Sequence, residues 1–250
     1  MVKSYEIQGL LAQKNAFNRV GIDHVAFLKI GLAGVCSHLL GASKEHILAA
    51  LSLAVVDGHA MRTYRHSPNT GRRKSWAAAD AVKDALFLAF LALKGEMGYP
   101  SCLSAPTWGL YDVYFKGKAF EIHRNFDDFV INNILFKVPF SAEYHSITAI
   151  ECAVVLHKSY KNKLNDIKSI QIQTQEAAMR IIVKEGPLTN PASRDHCLQY
   201  IVAIALLYGE VYPHHFEDDI AENPIIDTLR SKMTVLENRI YSQDYLDLNK

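Results

Sequence analysis

The chain has 250 residues, 49% hydrophobic and 21% charged, with a formal net charge of +1. This is ordinary globular usage, enough for one large domain or two small ones, and it excludes a disordered chain. The near-neutral balance excludes a global pull toward nucleic acid or an anionic membrane, so any anion binding has to come from local clusters. The first half reads as helices. From His24 to Leu40 apolar residues recur at helical spacing, and Gly41 stands where a helix C′ residue belongs. Ser43 is placed to N-cap the next helix, with Glu45 in its first turn. A third helix is predicted from Ser75 to Lys94, stopped by Gly95. Its early alanines, Ala77, Ala78, Ala79 and Ala81, are small enough for a ligand or a second backbone to come close. Beyond Asp84 it is apolar nearly all round and is expected to be buried. Residues 95–109 form a turn-rich connector, followed by the aromatic segment WGLYDVYF and by KAFEIHR as a strand candidate.

The texture changes near Ile134. ILFKVPF reads as a buried extended segment, HSITAIECAVVLHKSY as a helix, and the strict alternation of IKSIQIQT as a half-buried strand. QEAAMRIIVK and SRDHCLQYIVAIALLYG read as helices, the second stopped at Gly209, and TVLEN as one more strand. The expected fold is mainly α with a smaller α/β part: a helical domain over residues 1–134 and an α/β domain over 135–250.

Cys36, Cys102, Cys152 and Cys197 lie far apart without a C-x-x-C pair. Free thiols in a reducing compartment are therefore expected, rather than disulfides, zinc or an iron–sulfur cluster. The N-terminus has no apolar h-region with a cleavage site, and Lys29, His38 and Lys83 interrupt the longest apolar runs. The expectation is a soluble cytoplasmic protein with no membrane partner.

The densest chemistry lies in RTYRHSPNTGRRKSWAAAD, residues 62–80. Arg62, Arg65, His66, Arg72, Arg73 and Lys74 stand in a loop that runs into an alanine-rich helix. Such a run is either a solvated basic loop or a site for a small polyanion, because guanidinium forks and free helix N–H groups both attract carboxylates. A lysine among like charges also has a depressed pKa, which suits proton transfer. His24 opens a helix and reads as a capping residue or as a catalyst. Lys137 sits inside an apolar run, where it either snorkels or points into a cleft, and His145 follows shortly after. Tyr200, on an apolar helix, reads by itself as core. No phosphate loop, H-E-x-x-H, G-x-S-x-G or nucleic-acid platform competes.

The runs NAFNRVGIDHV, VDGHAMRTYRHSPNTGRRKSWAAADA, KGEMGYPS, APTWGLYDVYFKG, NNILFKVPFSAEYHS, GPLTNPASRDHCLQY and VAIALLYG together resemble the MmgE/PrpD family, in particular its bacterial members of the methylcitrate cycle. They extend over almost the whole chain. The resemblance implies a hydro-lyase, independent of metal and cofactor, that removes water from 2-methylcitrate to give 2-methyl-cis-aconitate in propionate breakdown. It implies a large helical domain with a smaller α/β lid, and a homodimer. By the same resemblance His24, Lys74, Lys137 and Tyr200 are the catalytic residues, although VPFSAEYH replaces the family's proline-rich sequence after the lysine. Arg65, His66, Arg72, Arg73 and His145 are expected to bind the tricarboxylate. Family members are considerably longer and carry an N-terminal Asp-Asp-x-x-His motif with no equivalent here. The chain is thus expected to be truncated at both ends, and the alternative to an enzyme is an inactive remnant that binds tricarboxylates or a partner chain.

Overall fold

Well-placed stops and 3.6-residue apolar spacing build the first half of the chain from helices. The computed structural model describes residues 1–66, 70–135 and 139–247, and the chain divides into two compact units. The first unit comprises Met1–Thr63 and Arg73–Leu135. It contains α1 (Val2–Lys14), α2 (Val25–Leu39), α3 (Lys44–Val56), α4 (Ala77–Leu93), α5 (Leu110–Phe115) and α6 (Phe129–Asn133). Helix α2 is central and packs on α1, α3 and α4. Gly41 closes α2 at φ 77° and Gly95 closes α4 at φ 93°, conformations that glycine adopts without steric cost. The Ser43 hydroxyl caps α3 by accepting from the His46 N–H at 3.3 Å. Phe17 stacks on Phe27 at 4.1 Å between ring centroids, in a core shared with Leu11, Ile30, Leu53 and Leu88.

Three expectations fail in this unit. α4 is not buried all round: Ala85, Leu88, Ala89 and Ala92 are buried, but Phe87 is 59% and Phe90 47% exposed. Leu135, expected in a buried segment, is 72% exposed, and residues 136–138, Lys137 among them, lie outside the described residues. KAFEIHR forms no strand. Buried Asn15 takes the place of a strand partner: its amide donates to the Glu121 carbonyl at 3.0 Å and accepts from the Glu121 N–H at 2.8 Å. One side chain thus satisfies backbone groups that a ladder would otherwise pair.

The second unit comprises Tyr64–Arg72 and Phe136–Lys250, as far as these are described. It contains α7 (Ile147–Tyr160), β1 (Ile170–Thr174), α8 (Glu176–Ile182), α9 (Pro191–Arg194), α10 (Leu198–Tyr208), α11 (Asp218–Ala221), α12 (Pro224–Ser231), β2 (Met233–Glu237) and α13 (Arg239–Leu246). β1 and β2 pair in parallel, from Ile170 opposite Met233 to Thr174 opposite Glu237. The alternation read from IQIQT is realised: Ile172 and Thr174 are buried, Gln171 and Gln173 exposed. α10 runs through the core and packs on α7 and α12. The single helix expected over SRDHCLQY is broken, because Cys197 takes an extended backbone (φ −117°, ψ 107°) and starts α10 afresh.

Candidate functional site

In the first unit, residues 60–62 lie antiparallel to residues 21–23. The Asp23 N–H donates to the Ala60 carbonyl, and the Arg62 N–H to the Gly21 carbonyl, each at 2.8 Å. This pairing sets Arg62 beside the head of α2. Arg62 Nη1 lies 3.2 Å from His24 Nδ1 and 3.8 Å from the fully buried Asp23 carboxylate, which also accepts from the Val25 N–H. The His24 ring is 58% exposed, open to solvent and to any ligand.

Val25 and Ala26, the residues after His24, begin the wall of a cavity of about 370 Å³ between α2, the 57–60 turn and α4. Ala77 and Ala81 line it, in keeping with the room that small residues leave at the start of α4. Its cations are organised by carboxylates. Lys29 is buried, and its ammonium donates to Asp57 Oδ2 at 2.7 Å and to the Gly58 carbonyl at 3.0 Å. Arg73 donates to Asp80 at 2.9 Å and lies over the Trp76 ring at 4.2 Å. Hydrogen bonds from Lys83 and then Arg73 hold the Asp80 carboxyl below the usual carboxylate range. His59 lines the same cavity, and neither ring nitrogen has a hydrogen-bond partner among the described residues. Burial first, and then the Lys29 charge, push its imidazole down to about 4, against an opposing pull from Asp57. It is therefore neutral at pH 7. Lys74 follows Arg73 in the turn Arg72–Ser75 before α4 and is half-buried, but it is not among the cavity's lining residues.

The remaining sequence-predicted residues belong to the second unit. The Arg65 guanidinium stands 5.1 Å from the Tyr64 ring centroid. The Arg65 carbonyl accepts from the Thr70 hydroxyl, and the Thr70 carbonyl accepts from the Asn190 amide. His66 and Arg72 are exposed. His145 contacts Glu143 at 2.7 Å and the Tyr245 hydroxyl at 3.1 Å through its two ring nitrogens. Burial pushes the Glu143 carboxyl up, but hydrogen bonds and charge from His145 outweigh it and leave it below its ordinary value. Tyr200 is 2% exposed, its hydroxyl donates to the His215 carbonyl at 2.8 Å, and burial raises its phenol well above the ordinary range.

The structure thus brings His24 and Arg62 together, and sets Arg73 on the wall of the cavity. It adds Lys29, Asp57 and His59, which sequence reasoning did not select. Lys29 had a readable signal, a charge within the apolar run HVAFLKIGLAG, whereas His59 had none. Among the described residues no group of three His, Cys, Asp or Glu side chains is placed to hold a metal ion, and no helix is long and apolar enough to cross a membrane.

The comparisons with known proteins agree with one another. The MmgE/PrpD N-terminal domain matches residues 1–123 and the MmgE/PrpD C-terminal domain residues 140–250. The chain is 50% identical to 2-methylcitrate dehydratase of Escherichia coli (strain K12), over all of this chain and 52% of that protein. It is 52% identical to a probable 2-methylcitrate dehydratase of Saccharomyces cerevisiae, over all of this chain and 50% of that protein. A mitochondrial 2-methylcitrate dehydratase of Yarrowia lipolytica is 52% identical over 98% of this chain and 48% of its own length. The chain spans about half the length of the curated relatives it matches. With both domains matched and about half of all positions identical along its length, this chain belongs to the MmgE/PrpD family.

Proposed function

We propose that this chain carries the central part of a hydro-lyase that removes water from 2-methylcitrate to give 2-methyl-cis-aconitate, working in the cytoplasm as a homodimer. The observation that carries this reading is identity of about half of all positions, over the full chain, with proteins named for that reaction. The proton to be removed is α to a carboxylate and only weakly acidic, so charge building on that carboxylate has to be met by fixed cations. In this reading Lys74 supplies that charge from the head of α4, with Arg73 beside it and Lys137 as a further cation. His24, exposed next to Arg62, exchanges the proton. Arg65, His66, Arg72 and His145 add carboxylate-binding capacity in the second unit. Tyr200, with its hydroxyl on the His215 carbonyl, fixes that backbone and acts as a positioning residue.

The half-length match favours a second reading, a tricarboxylate-binding chain without turnover. One experiment separates the two. The purified chain is given 2-methylcitrate, and absorbance of the enoate product is followed with and without chelator, alongside calorimetric binding. The expected outcome is turnover that chelator leaves unchanged, reduced at least 100-fold by Lys74→Ala with the circular dichroism intact. Binding without turnover selects the second reading, and the absence of both overturns the two together.

A further inference from the structure

Glu143 precedes the one-turn helix Tyr144–Ser146 as its N-cap, and its side chain turns back onto the residue two places ahead. One carboxylate oxygen accepts from the His145 N–H at 2.8 Å, and the other lies 2.7 Å from His145 Nδ1. Burial raises the Glu143 carboxyl, but hydrogen bonds and charge from His145 outweigh it and hold it below its ordinary value, ionised at pH 7. A carboxylate only accepts, so the short contact puts a ring proton on Nδ1. With Nδ1 taken, Nε2 is the nitrogen left for a second partner. The Tyr245 hydroxyl fills that place at 3.1 Å. Burial, and then the Glu143 charge, raise the Tyr245 phenol, so it keeps its proton.

Charge and hydrogen-bonding capacity set the kind of partner that Nε2 takes. Glu143 and His145 together carry no net positive charge, whether the ring is neutral or protonated. They therefore attract a carboxylate less than the Arg65 or Arg72 guanidinium does. A hydroxyl brings no charge to face Glu143, and it both donates and accepts, so it pairs with Nε2 in either protonation state of the ring. The Glu143 and His145 side chains are 12% and 14% exposed, sheltered enough for such a bond to discriminate between ligands. Tyr245 supplies the protein's own hydroxyl, and it is displaceable, because it is 48% exposed near the end of α13.

Resting on the reading that this chain binds 2-methylcitrate, we propose that His145 Nε2 recognises the substrate's hydroxyl, which displaces that of Tyr245, and that Glu143 is the positioning residue that holds Nδ1. This narrows the part given to His145 above: the arginines hold carboxylates, and His145 selects hydroxy acids among tricarboxylates. In the elimination the protonated ring passes its Nε2 proton to the hydroxyl oxygen as the C–O bond breaks. The electron pair of the α C–H bond becomes the new C=C bond, its proton goes to the base, and water leaves. The ring is left neutral, with its Nδ1 proton still on Glu143.

The test compares citrate with propane-1,2,3-tricarboxylate, which has the same carboxylates and no hydroxyl. Calorimetric binding to the full 250-residue chain is measured at about pH 8, where both ligands are fully ionised. The parent is expected to bind citrate at least about threefold more tightly, a preference that Tyr245 limits by competing for Nε2. Tyr245→Phe should widen it to at least about tenfold by tightening citrate alone. Glu143→Gln should reduce it below about twofold, because an amide turns its NH2 toward one of two N–H partners and no longer fixes the Nδ1 proton. Nitrogen NMR spectra of the imidazole give a readout independent of any ligand. They should report Nδ1–H in the parent and a shift toward Nε2–H in Glu143→Gln. His145→Phe should also bring the preference below about twofold, and it covers the case in which Glu143→Gln fails to fold. The proposal is overturned if the neutral parent ring carries its proton on Nε2, if Tyr245→Phe changes both ligands alike, or if His145→Phe keeps the preference. Equal binding of both ligands by the parent removes the hydroxyl assignment and leaves the earlier reading standing. Binding of neither removes that reading, and the assignment with it.

Discussion

His59 is the residue whose environment has the clearest thermodynamic consequence. Its ring lies 5.9 Å from Phe17 between centroids, near the Lys29 ammonium and the Asp57 carboxylate, in a cavity that Asp80 and Asp84 also line. The folded pKa of about 4 lies below the ordinary 6.5, so the unfolded chain binds this proton more readily. The stability that His59 contributes is then fully present above pH 6.5 and is lost as pH falls from 6.5 to 4. The shift corresponds to roughly 3 kcal/mol. Replacing His59 with Phe, which keeps a ring beside Phe17, should flatten this slope. Between pH 7.5 and 4.5 the parent is expected to lose roughly 2–3 kcal/mol more than the variant in urea titrations. Equal losses would mean that the imidazole titrates as if exposed. None of this was legible in VDGHA, because the partners that shift His59 come from two places in the chain. Lys29 was visible as an anomaly in an apolar run, but Asp57, 28 positions away, holds it only once α2 and α3 have packed.

At the scale of the element, α4 marks where sequence patterning stops carrying information. Its boundaries were readable, since Ser75 and Gly95 bracket a run that the structure forms as helix from Ala77 to Leu93. Its orientation was not. After Asp84 the residues are almost uniformly apolar, and a helix without polar contrast has no preferred face in its sequence. Packing against α2 chooses one, burying the small Ala85, Ala89 and Ala92 and leaving Leu86, Phe87 and Phe90 outside. Small residues permit the closer approach of two backbones, and the larger rings are left on the outer face. An exposed apolar stripe of this kind promotes association. Phe87→Glu combined with Phe90→Lys, an acid–base pair in favourable order along the helix, should lower dye binding to apolar surface and raise solubility. The melting temperature is expected to move by less than about 2 °C, since surface substitutions change stability little. A large fall would show that the two rings are packed. KAFEIHR fails as a strand for a different reason: the Asn15 side chain, from a distant part of the chain, pairs with the Glu121 backbone where a strand partner would otherwise stand.

For the whole molecule, family membership was readable from long runs distributed over both halves, whereas the cavity was not. Its walls come from residues 25–29, 57–60 and 73–84, and no single run contains them. The two units carry separate cores with no buried residue in common: one is built around Phe17, Phe27 and Leu88, the other around Ile150, Ile201 and Ile204. Separate cores give each unit its own cooperative transition, because cooperativity follows shared burial. Truncating a buried side chain in one core should therefore leave the other transition in place. Leu88→Ala and Ile201→Ala each remove a large, almost fully buried side chain, at an expected cost of about 2–5 kcal/mol. Calorimetry of the parent should resolve two transitions, of which each variant lowers a different one by roughly 10 °C. If both variants lower a single common transition together, the chain unfolds as one cooperative body, and two independently stable cores are ruled out.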